Sequence, residues 1–205
     1  TVLRNGEQTP ISEIKVGERV LTIAKDGNEE QSSATAIDPE TWRKVTLLAP
    51  NPHLRDETIE VTELRPLSWL ETVGGKEGEF VWTGIGEQPS TWVYIEAIEP
   101  CPAIAPGDGR VVTAQYRLYS EDLIEIELTL PNRNKVSKLR ATSIHPLWSM
   151  DQNGWVMARD LKFGEVLRAY DSEEVIVTDV TPVPGRHEVF NISVEGEHQF
   201  FASEA

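Results

Sequence analysis

The stretch EIKVGERVL at positions 13–21 returns near the other end of the chain as DLKFGEVLR at 160–168. Ile14, Lys15, Val16, Gly17, Glu18 and Val20 align with Leu161, Lys162, Phe163, Gly164, Glu165 and Leu167, and the acid Glu13 aligns with Asp160. Each copy then enters a β-type run. Glycine tolerates the positive φ of a tight turn, so the unit reads as a turn feeding a strand. Two such units, around 11–24 and 158–171, place the early and late segments in equivalent positions of one β structure. Internal pseudo-two-fold symmetry follows, with the two ends of the chain brought together. The alternative is two unrelated turns of similar composition.

The rest of the chain supports a β reading. VLTIAKDGN, WVYIEAIEP, RVVTAQYRLYS, DLIEIELTL, EVIVTDV and HEVFNISVEGEHQFF are rich in Val, Ile, Thr and aromatics and are separated by turn signals. In Leu123–Leu128 polar and apolar residues alternate, which sends Glu125 and Glu127 outward from one side of a sheet. Asp26-Gly27, Asn153-Gly154 and Gly107-Asp108-Gly109 read as turns, and Pro100-Cys101-Pro102 as an interruption of a strand. The fold class expected is all-β, with no helix beyond short turns at SEI and ARDL. The 205 residues are expected to form a single domain.

Thirty-four acids against nineteen bases give a formal net charge of −15 with no basic cluster, which disfavours nucleic acid as a partner. No apolar run approaches the roughly 20 residues that span a bilayer. The single cysteine, Cys101, excludes a disulfide within the chain and says little about compartment. Four histidines and one cysteine show no metal-ligand spacing, so no metal is expected. The six tryptophans read as core or sheet-covering residues, and His53 and His187 as surface residues. TVLRNGEQTP at the start and FFASEA at the end read as the edges of an excised interior piece of a longer polypeptide.

Three ordered motifs carry a family resemblance: T-V-L-x-x-G-E-x-x-P-I-S-E-I-K-V-G-E-R-V-L at the start, T-S-I-H-P at 142–146, and V-F-N-I-S-V-E-G-E-H-Q-F-F at the end. Together with IEPCPAIAPGDGRVVT and HPLWSMDQNGWVMARDLKFGEVL they resemble the Hint fold of inteins and hedgehog autoprocessing domains. The likeness is greatest to the pretoxin Hint domains of secreted bacterial polymorphic toxins, and it covers most of the chain. It implies a compact all-β horseshoe with internal pseudo-two-fold symmetry. It also implies a single-turnover, cis-acting autoproteolytic domain in a secreted or surface-exported bacterial protein. In that family a Cys at the start of the domain attacks its preceding carbonyl, converting an amide into a thioester, and cleavage or splicing follows. The equivalent Cys would lie upstream of Thr1, and the cyclising Asn in a tail beyond Ala205. The piece given would then be inactive by itself. The substrate implied is the chain's own flanking segments, processed by a monomer without a cofactor.

The residues assigned to this chemistry are Thr142, His145, Asn191 and His198. An acyl shift must twist a resonance-stabilised amide and protonate its nitrogen as it leaves, and an imidazole with a near-neutral pKa suits that step. His145 is the candidate acid, and Thr142 is the candidate donor to the scissile carbonyl. Pro146 biases His145 away from the α region. T-x-x-H alone is a weak pattern, and an ordinary loop histidine is the alternative. Alternation places Val189, Asn191 and Ser193 on one face and Phe190, Ile192 and Val194 on the other. Many splicing inteins carry Asp where Asn191 stands. Because Asn cannot titrate, cleavage is favoured over coupled splicing, unless Asn191 merely bonds a strand edge. His198 matches the histidine that assists cleavage at the C-terminal junction. Otherwise it is a hairpin-end residue beside Glu195 and Glu197, acids that would raise its pKa. Cys101 reads as a small buried thiol, and Thr1 as part of the first strand, not as a nucleophile.

Two further readings compete. One is a non-catalytic Hint-like β scaffold that links or binds neighbouring domains. The other is a carbohydrate- or protein-binding β domain, which would use the tryptophans but explains neither the repeat nor T-S-I-H.

Overall fold

The protein is described here by a computed structural model that covers residues 2–4, 7–22, 37–86, 89–130, 135–168 and 174–196. Among these residues it is all-β apart from one short helix and two 3-10 turns. The strands are β1 (Val2–Arg4), β2 (Glu7–Thr9), β3 (Arg19–Val20), β4 (Trp42–Pro50), β5 (Thr58–Pro66), β6 (Phe80–Thr83), β7 (Thr91–Pro100), β8 (Arg110–Ser120), β9 (Leu123–Leu130), β10 (Lys135–Thr142), β11 (Pro146–Ser149), β12 (Gly154–Met157), β13 (Val166–Arg168), β14 (Glu174–Val183) and β15 (His187–Val194). The helix is α1 (Leu67–Val73), and the 3-10 turns are Ile11–Glu13 and Ala158–Asp160. Thr1, the Asp26-Gly27 turn, most of the VLTIAKDGN run and the EHQFF end with His198 lie outside the described residues.

The chain divides into two compact units, one formed by 120–189 and the other by 2–119 with 190–200. The 120–189 unit holds the sheet β10-β9-β14-β13-β11-β12. Its core gathers Ile124, Ile126, Leu128 and Leu130 of β9, Val175 and Val177 of β14, and Val156, Leu161 and Leu167. These are the apolar positions of the β9 alternation. Glu125 faces out from that strand and pairs with Lys138 at 2.6 Å and Arg140 at 2.9 Å across the β9–β10 hairpin.

The other unit holds the β1–β2 hairpin and a sheet ordered β15-β8-β5-β4-β7-β6, with β3 on β8. Val45, Leu47, Val61, Val93 and Ile95 form one core cluster. Ile14, Val20, Val112, Ile192 and Val194 form a second, so the Ile192/Val194 face of the last strand is the buried one.

Two features differ from the sequence reading. First, LSWLETV is an α-helix, not merely a short turn. Leu67 and Val73 pack on the core beside buried Leu70, and Gly74 closes the helix at φ 65°, its N–H reaching the Glu71 carbonyl at 3.3 Å. Seven residues are too few for a helical period to stand out. Second, β4 and β5 lie at the middle of the sheet although Arg43, Lys44, Glu60, Glu63 and Arg65 break up their apolar pattern. Glu63 points into the core side and is 5% exposed. Burial pushes its carboxyl up, against the Arg65 guanidinium at 2.9 Å, and Arg65 in turn lies over the Trp69 ring at 5.0 Å. Of the tryptophans, read from the sequence as core or sheet-covering residues, Trp69 packs against the core from α1 and two pairs lie on sheet faces. Trp82 and Trp92, each 58% exposed, form an edge-on cross-strand pair at 5.6 Å, and Trp148 and Trp155 form another at 5.3 Å.

The repeat is real at the level of single hydrogen bonds, with one copy in each unit. In the first, Glu18 N–H donates to the Lys15 carbonyl (3.2 Å), Gly17 N–H to Val112 (2.9 Å) and Val112 N–H back to Glu18 (2.7 Å). In the second, Glu165 N–H donates to Lys162 (3.1 Å), Gly164 N–H to Val177 (2.8 Å) and Val177 N–H back to Glu165 (2.9 Å). The turn glycines have φ 89° at Gly17 and 84° at Gly164, the third-position geometry of a type II turn. A carboxylate closes each turn, since Lys15 N–H donates to Glu18 Oε2 and Lys162 N–H to Glu165 Oε2, both at 3.0 Å. Registers match as well: Arg19 faces Val111 and Val20 faces Arg110, as Val166 faces Ile176 and Leu167 faces Val175. Each copy is preceded by a β-hairpin and a 3-10 turn, β1–β2 with Ile11–Glu13 and β11–β12 with Ala158–Asp160.

Candidate functional site

Strand β10 delivers Thr142, paired with Leu123, to the open end of the β9–β10 hairpin. The chain then turns: His145 N–H donates to the Thr142 carbonyl at 2.9 Å, and Pro146 opens β11. Thr142 and His145 are thus the first and fourth residues of one β-turn.

The turn is held from three directions. Ser143 is buried, its N–H donates to the Asp122 carbonyl at 3.2 Å, and its hydroxyl donates to the Asp122 carboxylate. The Ser143 carbonyl accepts Arg159 N–H at 2.9 Å, and the His145 carbonyl accepts Ala158 N–H at 2.9 Å. Both donors belong to the 3-10 turn that opens the second repeat copy, so the repeat supports T-S-I-H. Glu165 anchors the same region. Burial works against its ionisation, but the Ser149 hydroxyl, the Lys162 N–H and the Gln152 amide (2.7 Å) hold it below the usual carboxylate range.

His145 is half-buried, and no described residue hydrogen-bonds its ring. Burial lowers its pKa, because the imidazolium loses hydration that nothing nearby replaces. Near neutral pH the ring is therefore uncharged, with one nitrogen able to accept a proton and the other able to donate one. The Thr142 hydroxyl likewise has no partner among the described residues. An uncharged imidazole and a hydroxyl thus stand on one hydrogen-bonded turn.

Asn191 lies in the other unit, on β15, with its side chain exposed. Its Oδ1 accepts the Ile192 N–H at 3.0 Å. The neighbouring Ser193 hydroxyl lies 3.2 Å from the Tyr116 hydroxyl. His198 lies outside the described residues. Cys101 is half-buried just after β7. Burial raises its thiol pKa, an effect Arg43 opposes and Asp38 adds to. His53 is exposed, and the His187 ring donates to the Pro184 carbonyl at 3.0 Å.

Asp122, Ser149, Gln152 and Glu165 escaped the sequence reading as parts of this site. Only the repeat itself, which singles out Glu165, signalled any of them. Among the described residues no group of three or more His, Cys, Asp or Glu side chains is placed to hold a metal ion. No helix among them is long and apolar enough to cross a membrane.

No family model and no curated protein matches the chain. Solved structures similar to it include the TvoVMA intein, at 13% identity and TM-score 0.41 over 89% of this chain and 88% of that one. The intein-like domain from Clostridium thermocellum is similar at 15% identity and TM-score 0.40 over 79% and 93%. An intein from a hyperthermophile is similar at 14% identity and TM-score 0.36 over 78% and 90%.

Proposed function

We propose that the chain is an intein-like, self-processing domain that cuts the polypeptide carrying it. Cleavage begins with an N-to-S acyl shift at the N-terminal junction, and an Asn-assisted cleavage at the C-terminal junction releases a downstream toxin or effector. The observation that supports this reading best is His145, an uncharged and half-buried imidazole with no ring partner among the described residues, fixed beside Thr142 on an anchored turn.

The lowered pKa alters the role assigned to His145. A resting imidazolium is scarce there, so the ring acts first as a base and only then as an acid. It accepts the proton of the upstream thiol, and the thiolate sulfur bonds to the preceding carbonyl carbon. Thr142 donates a hydrogen bond to the developing oxyanion. As the C–N bond breaks, the imidazolium passes its proton to the departing nitrogen. A thioester and a free amine remain, and His145 is neutral again. Asn191 cannot titrate, so no carboxylate stands there to couple the two half-reactions, which favours cleavage over coupled splicing. His198 assists the C-terminal step.

Intact mass over time tests this, on the chain extended by its native flanks between two inert tags, with and without added thiol. Thiol-dependent loss of the upstream tag that His145→Ala abolishes is the expected result. A tag-to-tag product would mean splicing. No mass change in a folded sample would leave the scaffold reading in place.

A further inference from the structure

Both methionines of the chain, Met150 and Met157, lie in the β11–β12 hairpin, and both are exposed, by 45% and 43%. Methionine is more often a buried residue. Met157 ends β12 opposite Pro146, the residue after His145. Directly behind it come Ala158 and Arg159, whose N–H groups hold the His145 and Ser143 carbonyls, each at 2.9 Å. The Met157 thioether thus borders the two bonds that fasten the T-S-I-H turn to Ala158–Asp160.

Arg159 ties the thioether to the same place. Its Nη2 donates to Met157 Sδ at 3.4 Å, its Nε stands 3.8 Å from the Asp160 carboxylate, and more than half of its side chain is in solvent. A thioether sulfur is a weak acceptor. A sulfoxide oxygen is polar and lies one S–O bond beyond the sulfur, so a guanidinium already on the sulfur is placed to bind it and must shift to do so. The residue whose side chain shifts is the one whose backbone N–H holds Ser143.

We propose that Met157 is an oxidation site through which a hydroperoxide resets the T-S-I-H turn. The sulfur lone pair attacks the terminal peroxide oxygen, the S–O bond forms as the O–O bond breaks, and the hydroxyl proton passes to the departing oxygen. Sulfur loses two electrons, and the hydroperoxide is reduced to water or an alcohol. Methionine sulfoxide reductases reverse the change. Arg159 turns to the new oxygen, a polar group replaces an apolar one opposite Pro146, and the two N–H donors move relative to β11. The consequence for cleavage rests on the self-processing reading above: His145 is displaced, and a misplacement of about 1 Å costs up to roughly 10²-fold in rate.

The test compares Met150→Leu, in which Met157 is the sole thioether, with the double variant Met150→Leu/Met157→Leu. Leucine conserves volume at both exposed positions, so both variants fold. Hydrogen peroxide is followed by excess thiol, which returns cysteine sulfenates and disulfides to thiols but leaves the sulfoxide. Intact mass should show one retained oxygen in the single variant and none in the double. In the chain without flanks, the amide NMR signals of Ser143 and His145 should shift in the single variant alone. With native flanks, oxidation should slow N-terminal cleavage about tenfold in the single variant, reversibly by a sulfoxide reductase, and leave the double variant unchanged. No retained oxygen, unmoved Ser143 and His145 signals after oxidation, or equal slowing in both variants would overturn the proposal. An untreated flanked chain that does not cleave would sink the self-processing reading alone, because the amide signals decide the oxidation site without it.

Discussion

Asp122 grips Ser143 twice, its carbonyl accepting the Ser143 N–H at 3.2 Å and its carboxylate accepting the Ser143 hydroxyl. Ser143 stands between Thr142 and His145, so this pair sets the path of the turn that carries both. Ser143→Ala removes the side-chain half of the grip and is expected to cost about 1 kcal/mol of stability. Asp122→Ala should slow N-terminal cleavage of the flanked chain roughly tenfold, about 1.4 kcal/mol in barrier. Urea midpoints and single-turnover mass kinetics measure the two. An unchanged rate in Asp122→Ala would remove it as a positioning residue.

The depressed pKa of His145 makes a signed prediction. Because folding lowers the pKa below the free value of 6.5, the unfolded chain binds the proton more readily. The stability this contributes is fully present above the unfolded pKa and is lost as pH falls through the folded one. Unfolding followed across that window should show a slope that His145→Gln flattens. N-terminal cleavage should rise with pH through the same lowered pKa, and a rate that instead falls with rising pH would contradict the base-first role.

Glu165 is buried and accepts from the Lys162 backbone, the Gln152 amide and the Ser149 hydroxyl, whereas its counterpart Glu18 is partly exposed. Glu165→Ala should cost about 2–3 kcal/mol, since it strands buried donors, and Glu18→Ala about 1 kcal/mol. The lowered pKa of Glu165 adds stability that is present above the unfolded carboxyl value and fades as pH drops through the folded one. Thermal melts of both variants across acidic pH read out the difference. Equal losses would mean that the second turn is no more tightly tied than the first.

Both turn glycines sit at positive φ, so Gly17→Ala and Gly164→Ala each carry about 1–2 kcal/mol of backbone strain. At Gly17 the new methyl also meets Pro102 and Ala103, while at Gly164 it meets open space. Gly17→Ala is therefore expected to be the more destabilising by urea denaturation. The reverse order would show that 101–106 yields readily.

The chain's local chemistry determined much of this protein. RVVTAQYRLYS is β8 residue for residue, the Leu123–Leu128 alternation sorted core from surface, and SEI and ARDL overlap the two 3-10 turns, Ile11–Glu13 and Ala158–Asp160. The repeat at 13–21 and 160–168 announced two equivalent turns because Gly and Glu at fixed spacing are what such a turn and its cap require. Where a side chain's role depends on what lies across from it, tertiary structure decided. Glu63 and Arg65 interrupt an apolar pattern, yet β5 is central, because Val45 and Ala114 flank Glu63 in the sheet. His145 reads as an ordinary titrating imidazole until burial strips its hydration. Val16 and Phe163 are matched positions of one motif, yet the tertiary structure buries the first and leaves the second in solvent. Periodicity and turn chemistry act over a few residues, whereas burial is set by segments far apart in the sequence.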